Sequence, residues 1–472
     1  MDQSRTPLYD TLHTFKKRHM ASFHVPGHKH GKIFPDHARA DFQSILGIDM
    51  TEITGLDDLH APEEIIKDAQ ELAAGFFKSR STYFLINGST SGNLAMLMSV
   101  CMEDKKVLVQ RNCHKSVMHG LELSGAKPVF LGPGFEEITQ RYSKMDPALI
   151  EEAITIHPDV SALVLTYPDY FGRAYDIKKI ISIAHARDIP VLVDEAHGVH
   201  FHLGSPFPSP AMEAGADVVV QSAHKMAPAM TMASYLHVGT TRINQQSLEH
   251  YLQVFQSSSP SYPLMASLDL ARYFLAGFSN GDMQETLRQV KEIRKCLSVE
   301  EGWQLQEATP LDDPLKITLH IDEGWSGFQL AKLFEEEGVY PELASANQLL
   351  FVLGLGSYVD LTAFNSIVER VNDRLKNIKK HATMKKVSIQ TESILELAYS
   401  YHDMKGKKAI FKAYDEVEGE VAAQAVIPYP PGIPILLKGE KITSCHISHI
   451  KELQTLGSRF HNPEINQGLY IY

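Results

Sequence analysis

The sequence predicts an α/β protein whose large domain has a mostly parallel central sheet, followed by a smaller α+β domain and a C-terminal domain. Two observations support this fold class. Between residues 60 and 240, short β-branched runs alternate with longer helical patterns, as they do in parallel sheets covered by helices. The chain also has 472 residues, 44% of them hydrophobic, which is enough for a large core and for two or three domains.

Five apolar runs are predicted to be strands of the large domain. They are TYFLING (82–88), KVLVQRN (106–112), SALVLTYP (161–168), PVLVDEAH (190–197) and ADVVVQSAH (216–224). In open parallel sheets, ligands bind outside the carboxyl ends of the strands. Because the residues at the ends of these runs are strongly polar, we expect a ligand site at that edge.

The remainder of the chain is predicted to form two smaller domains. After SSSPSYPLMASLD (257–269) the pattern is helical through residue 297, and LKITLHI and QLLFVLGLG are candidate strands. The polar stretch 376–393 resembles a linker, and IPYPPGIPILLKGE (427–440) contains too much proline for a helix or a central strand. We therefore predict domains at 1–280, 281–380 and 381–472.

Composition disfavours several classes of function. The chain has 57 acidic and 45 basic residues and a net charge of -12, which disfavours binding to nucleic acid. The N-terminal residues lack an apolar signal segment, and no stretch approaches the ~18 apolar residues of a membrane span. The four cysteines include no CxxC pair, which is typical of a reducing compartment. We expect a cytoplasmic protein that binds neither nucleic acid nor membrane.

The segment VLVDEAHG (191–198) allows two interpretations. As the Mg-ATP box of a helicase, DEAH requires a GxxxxGK[ST] loop after an earlier strand. The nearest candidate, GHKHGKI (27–33), has the wrong spacing and lacks the Ser or Thr. Alternatively, Asp194 ends a buried strand and holds the ring nitrogen of a cofactor. A metal site is not predicted, because His24, His28 and His30 have no carboxylate or thiol partner nearby.

The cofactor interpretation is testable because pyridoxal 5'-phosphate (PLP) requires a lysine, an acid, a phosphate site and a group against its ring. Lys225 follows a buried strand, although an isolated lysine is usually a surface charge. Asp194 is the candidate acid, with helix capping as the alternative role. Ser89, Thr90 and Ser91 precede an apolar segment, so their hydroxyls can form an anion site at a helix N-terminus.

Four further side chains complete the predicted site. Ser222 and His224 lie beside Lys225 and could contact the phosphate. His114 follows another strand and could lie on the face of the ring, and His197 could contact the ring from the other side. A single histidine is more often a packed or surface residue, so these roles depend on the combination of all the groups.

The chain resembles the bacterial ornithine/lysine/arginine decarboxylases, which are PLP enzymes of fold type I with an aspartate-aminotransferase-like large domain. The resemblance is strongest to the shorter members, which lack an additional N-terminal domain. The motifs that carry it cover most of the chain in the order of the family: FHVPGHKHG, TEITGLDDLHAPEEIIKDAQELAA, NGSTSGN, VQRNCHKSV, VLVDEAHG, QSAHKMAPAMTMASYLHV, SSSPSYPLMASLD and PYPPGIPILLKGE.

This resemblance implies a role for each site residue. Lys225 binds PLP covalently, Asp194 pairs with the ring nitrogen, His114 stacks on the ring, and His197 lies near it. The implied phosphate ligands are Ser89, Thr90, Ser222 and His224. Ser258, in SSSP, is expected to reach phosphate or substrate across a dimer interface, and Glu440 is a candidate for binding the distal cation of the substrate. An obligate homodimer, or a multiple of it, is therefore implied.

Three segments depart from the pattern of the family: Tyr167-Pro168-Asp169-Tyr170, Met226-Ala227 and Lys438. They bear on the choice of substrate, because all three are expected near the site. The resemblance implies decarboxylation of lysine or arginine, with ornithine third, to cadaverine, agmatine or putrescine. An aminotransferase, an aldolase and a catalytically silent regulatory homologue are the alternatives.

Overall fold

The structure is a computed structural model that describes residues 1–18, 21–299, 301–378, 380, 393–429, 434–455, 458–460 and 462–472. Its α-helices, numbered in chain order, are α1 (Pro7–Lys16), α2 (Asp36–Leu46), α3 (Ile65–Phe77), α4 (Gly88–Val100), α5 (Lys115–Ser124), α6 (Pro147–Ile156), α7 (Ile177–His185), α8 (Ala211–Ala214), α9 (Ala223–Met226), α10 (Gln245–Phe255), α11 (Tyr262–Ala276), α12 (Asn280–Cys296), α13 (Gly327–Glu336), α14 (Leu361–Lys376), α15 (Tyr401–Met404) and α16 (Ser444–Thr455). A 3-10 helix spans Val199–Leu203. Within the described ranges, no helix has the length and apolar composition that crossing a bilayer requires.

The strands, numbered in the same way, are β1 (Ser81–Leu85), β2 (Lys106–Gln110), β3 (Lys127–Leu131), β4 (Gly134–Glu136), β5 (Arg141–Lys144), β6 (Leu163–Thr166), β7 (Val191–Asp194), β8 (Val218–Gln221), β9 (Ser234–Val238), β10 (Trp303–Leu305), β11 (Lys316–Ile321), β12 (Leu343–Ala344), β13 (Gln348–Val352), β14 (Ile394–Glu396), β15 (Ile410–Ala413), β16 (Pro428–Tyr429), β17 (Arg459–Phe460) and β18 (Gly468–Ile471).

The chain divides into two compact units. Unit 1 comprises Met1–Met102, Ser161–Tyr167 and Ile177–Phe278, and unit 2 comprises Glu103–Val160, Pro168–Asp176 and Ser279–Tyr472. The division into domains at 1–280, 281–380 and 381–472 stays a prediction. Most of the predicted linker at 376–393 lies outside the described residues, as do residues 430–433 of the proline-rich stretch.

Unit 1 contains strands in the order β1-β9-β8-β7-β6. β6, β7 and β8 run parallel to one another, whereas β9 is antiparallel to both β8 and β1. Every residue of β7, β8 and β9 is buried, as expected for strands covered on both faces. The strands predicted at 82–88, 161–168, 190–197 and 216–224 are confirmed. β9 was not predicted, because its run SYLHV is short and contains serine and histidine.

Helix α4 lies close to the strands of unit 1 because glycine allows the approach. A Cβ atom on Gly92 would lie 2.6 Å from Leu85 Cδ1 and 3.0 Å from Val220 Cγ1. Gly88, at the start of the helix, has a φ of +74°, which favours glycine. These two glycines place the first turn of α4 beside the ends of β1 and β8.

Unit 2 contains the other strands of the protein. β2 and β3 are parallel, and β14 is antiparallel to β3. A four-stranded antiparallel sheet has the order β10-β11-β13-β12, and its β11 and β13 confirm the strands predicted in LKITLHI and QLLFVLGLG. The C-terminal part pairs β15 with β18 and packs a core of aliphatic side chains that includes Val417, Leu436 and Ile450.

Candidate active site

Asp194 is a buried carboxylate at the carboxyl end of β7. It is 3% exposed. Its Oδ2 accepts a hydrogen bond from Asn93 Nδ2 at 2.9 Å, and its Oδ1 accepts one from the Ala196 N–H at 3.2 Å. Both of these hydrogen bonds come from neutral groups. Because a buried carboxylate is costly without a cation, this arrangement fits the protonated ring nitrogen of PLP.

Asn93 was not predicted as a site residue. It lies in the first turns of α4, in the motif NGSTSGN, and is 1% exposed. The hydrogen bond from its amide holds the Asp194 carboxylate in one orientation. The signal in the sequence was the motif itself, but only the packing of α4 against the strands shows which side chain Asn93 contacts.

The two acidic residues of the DEAH segment have different partners. Glu195 Oε1 accepts from the Ala211 N–H at 2.7 Å, and its Oε2 accepts from Gln221 Nε2 at 2.6 Å. Asp194 instead binds the amide of Asn93. The two carboxylates therefore do not converge on a common metal ion, which argues against the ATPase interpretation.

Lys225 lies in the short helix α9, directly after β8. Its Nζ is 3.1 Å from His197 Nε2, and His197 is three residues beyond Asp194. β7 and β8 are parallel neighbours in which Asp194 is paired with Val220. The structure thus brings Asp194, His197 and Lys225 to one edge of two adjacent strands. Lys225 is exposed, whereas His197 is buried.

The predicted phosphate ligands meet at the start of α4. The Ser222 hydroxyl donates to Ser89 Oγ at 2.8 Å, which joins the end of β8 to the N-terminus of the helix. Thr90 is exposed at the same end, while the Ser91 hydroxyl donates to the carbonyl of Gly88 at 2.8 Å. A helix N-terminus with two converging hydroxyls is suited to a phosphate group.

The other predicted residues of this region have local partners as well. His224 Nδ1 is 3.1 Å from the carbonyl of Ala233. Burial lowers the pKa of His224, which favours its neutral form. Ser258 is exposed in the turn that precedes α11, where the neighbouring carbonyl of Ser257 is 2.9 Å from His60 Nε2.

His114 and Glu440 belong to unit 2. His114 is the N-cap of α5, and its Nδ1 accepts from the Ser116 N–H at 3.2 Å. Glu440 is 4% exposed, and its oxygens lie 2.9 and 2.7 Å from Arg111 Nη2. The Leu437 N–H donates to the same carboxylate at 2.8 Å. Arg111 therefore balances the charge of Glu440 within unit 2, while the roles of His114 and Glu440 stay predictions.

The segments that depart from the family have structural partners. Tyr167 donates its N–H to the carbonyl of Asp194 at 3.0 Å and its hydroxyl to the carbonyl of Ser209 at 2.8 Å, so it supports the end of β7. In unit 2, Asp169 Oδ2 is 3.9 Å from Arg141 Nε. Burial raises the pKa of Asp169. Lys438 Nζ donates to Glu122 Oε1 at 2.5 Å.

Comparison with known proteins finds one family along most of the chain. The family described as Orn/Lys/Arg decarboxylase, major domain, matches residues 6–329, and the C-terminal domain of that family matches residues 380–470. The chain is 42% identical to the uncharacterized protein YaaO of Bacillus subtilis, over 95% of this chain and 94% of that protein. It is 35% identical to an arginine decarboxylase of Bacillus anthracis, over 98% and 96%. The crystal structure of a lysine decarboxylase from Francisella novicida has a TM-score of 0.81 and 21% identity, covering 99% of this chain and 80% of that one.

Proposed function

The chain belongs to the Orn/Lys/Arg decarboxylase family, and we propose that it converts arginine to agmatine and CO2. As a member of this family, it is a PLP-dependent decarboxylase of basic amino acids with the type I fold. Similarity to an arginine decarboxylase over nearly the whole of both chains supports arginine. Lysine is the second candidate, since the same fold is found in a lysine decarboxylase. Agmatine is a precursor of polyamines, so the proposal includes a role in polyamine biosynthesis.

The observation that carries the proposed site is the contact of Lys225 with His197 beside the buried carboxylate of Asp194. When bound, PLP supplies an electron sink for the charge that remains on the substrate after CO2 leaves. Asp194 is placed to keep the ring nitrogen protonated, and Asn93 orients it. Ser89 and Ser222, with Thr90 and His224 nearby, would hold the phosphate group.

His197 and Lys225 have complementary tasks in this proposal. At 3.1 Å, His197 Nε2 can accept a proton from the amine of Lys225 and orient it. Lys225 binds the cofactor covalently and returns to its place when the product leaves. Lys225 must have a neutral amine to bind the cofactor covalently. The contact with His197 gives the proton of that amine a route to an acceptor.

We expect arginine to be decarboxylated with a kcat/KM at least about 10-fold higher than that for lysine, because a site built for a planar guanidinium leaves hydrogen bonds unmade around an ammonium. The measurement is product analysis of the purified holoenzyme with arginine, lysine and ornithine, in which both CO2 and keto acid are quantified. Cadaverine as the main product would identify lysine, and not arginine, as the substrate. Keto acid formed without release of CO2 would favour an aminotransferase.

We further propose that the protein is a homodimer of the cytoplasm. The segment around α2 exposes large apolar side chains: Phe23 is 96% exposed, Ile33 66% and Phe42 50%, and α2 itself buries only Leu46. An amphipathic helix whose apolar side chains are uncovered requires a partner surface, which a second copy would supply. None of the four cysteines forms a disulfide within the described chain, in agreement with a reducing compartment.

Light scattering of the holoenzyme should therefore give twice the mass of one chain or an even multiple. Replacing both Phe42 and Ile45 with serine should shift the protein toward monomer, because it removes apolar area from the exposed face of α2. Tyr340→Ser, at a side chain that is 77% exposed in unit 2, is the matched control and should leave the mass unchanged. A monomeric wild-type protein would contradict the proposal.

A further inference from the structure

A buried chain of polar side chains extends through the core of unit 1. Gln221 Nε2 is 2.6 Å from Glu195 Oε2, Gln221 Oε1 is 3.0 Å from His237 Nε2, and His237 Nδ1 is 2.8 Å from Thr82 Oγ1. Glu195, Gln221 and His237 are 0% exposed, and Thr82 is 3% exposed. None of these side chains has a task in the proposed reaction, although such a network is costly unless all its members are satisfied.

This chain of polar side chains lies next to the candidate active site. Glu195 directly follows Asp194 at the end of β7, and Gln221 directly precedes Ser222 at the end of β8. The Glu195 N–H also donates to the carbonyl of Val220 at 2.9 Å. The bond between the two side chains therefore joins the ends of neighbouring strands, at the point where the turns that carry Asp194 and Lys225 begin.

Glu195 has no cation to balance a negative charge. Within the described part of the chain, its carboxyl forms hydrogen bonds with Gln221 and with the Ala211 N–H, both of which are neutral groups. Burial therefore raises the pKa of Glu195 to about 8. The group carries a proton at neutral pH.

Among the described residues, no titratable side chain on the surrounding elements is paired with Glu195. These side chains are Asp194 on its own strand, His200 and His202 on the 3-10 helix, Glu213 on α8, Asp217 before β8 and His237 on β9. Burial lowers the pKa of His237 well below its usual range and that of His202 to about 4, so both rings are neutral. Glu213 is paired with Lys78 at 2.8 Å, and Asp217 with His185 at 2.8 Å.

We propose that Glu195 is a neutral positioning residue, whose protonated carboxyl holds the ends of β7 and β8 at the separation that lets Asp194 and Lys225 bind the same PLP molecule. This inference rests on the proposed roles of Asp194 and Lys225. A carboxylate at this position would add a second negative charge, without a cationic partner, next to Asp194. The contact between the ends of β7 and β8 would then be weaker.

The hydrogen bonds that join these polar side chains are compatible with a protonated Glu195. The oxygen and nitrogen of a glutamine amide can be exchanged by turning the group about its last bond, without moving other atoms. Glu195 then donates its O–H to Gln221 Oε1, Gln221 donates to His237 Nε2, and His237 donates from Nδ1 to Thr82 Oγ1. Thr82 can in turn donate to Ser79 Oγ at 2.8 Å, so the hydrogen bonds can run in one direction from Glu195 to Ser79.

The test compares wild type with Glu195→Gln by titrating the apoprotein with PLP, from two units below to two units above the pKa of Glu195. Glutamine has the shape of the neutral acid, donates an N–H to Gln221 and accepts from Ala211. We expect the PLP affinity of wild type to fall as the pH rises through about 8, and that of Glu195→Gln to lack this fall. Glu213→Gln on α8 is the matched control and should retain the wild-type pH profile.

Thermal unfolding of the same apoproteins provides a second readout without cofactor. A raised pKa means that the folded protein keeps a proton which the unfolded chain releases above its ordinary value of 4.5. The stability from this proton is fully present below that value and is lost as the pH rises through about 8. We expect the Tm of wild type to fall relative to that of Glu195→Gln over this window and the difference to level off above it.

The outcomes separate this inference from the proposed function. Identical pH profiles of wild type and Glu195→Gln in both measurements would overturn it, as would a Glu195→Gln protein that fails to fold or to bind PLP at neutral pH, because glutamine reproduces the neutral acid. A wild-type protein that binds no PLP at any pH would overturn the proposed function and the positioning role with it. The unfolding measurement would still establish the protonation of Glu195.

Discussion

Replacing Lys225 with alanine is expected to abolish decarboxylation and the covalent attachment of PLP. The reason is that alanine has no amine to bind the cofactor or to displace the product, and the contact of Lys225 with His197 is lost. The measurements are CO2 release with arginine and the visible absorbance of the purified protein after dialysis against buffer without PLP.

Lys291→Ala is the control for this substitution. Lys291 is exposed on α12 in unit 2, so removing its charge should leave both the activity and the absorbance unchanged. A Lys225→Ala protein that retained covalently bound PLP and a wild-type rate would refute the assignment of this residue.

Replacing Asp194 with asparagine is expected to lower kcat by about 10²- to 10³-fold, since the neutral amide cannot stabilise a positive charge on the ring nitrogen. Asparagine has the size of aspartate, and its oxygen can still accept the hydrogen bond of Asn93, so the fold should persist. Steady-state kinetics with arginine, at PLP concentrations that saturate the variant, measures this loss separately from weakened cofactor binding.

Asp217→Asn provides a matched control for Asp194→Asn. Asp217 is also a fully buried carboxylate, but it lies before β8, at the opposite end of the strand from Lys225. It accepts from the Val191 N–H at 2.7 Å and pairs with His185. Its substitution should lower stability and leave kcat of the folded protein near that of wild type. An equal loss of kcat in both variants would indicate a general effect of buried charge.

The positions of several predicted site residues in unit 1 could be inferred from the sequence because these residues follow buried strands, while their roles stay predictions. The runs VLVD and VVVQ identify β7 and β8, and their polar continuations place Asp194, His197, Ser222 and Lys225 at the same edge. Parallel neighbours require this convergence, since their carboxyl ends meet. The contacts of Lys225 with His197 and of Ser222 with Ser89 agree with that expectation.

The supporting residues could not be predicted in the same way. The contact of Asn93 with Asp194 depends on how closely α4 approaches the strands, and that of Glu195 with Gln221 depends on which way a side chain turns at a strand end. The pairing of Arg111 with Glu440 joins residues that are 329 positions apart. Periodicity predicts which face of an element is buried, but it does not predict which polar side chains meet inside.

We propose that one PLP molecule is held by Lys225 and faces Asp194. Reduction of the holoenzyme with borohydride fixes the cofactor to the lysine that binds it, and peptide mass spectrometry then locates the added phosphopyridoxyl group. We predict a single modified peptide, with the group on Lys225. Modification of a different lysine, in a protein that is active and saturated with PLP, would show that Lys225 does not bind the cofactor.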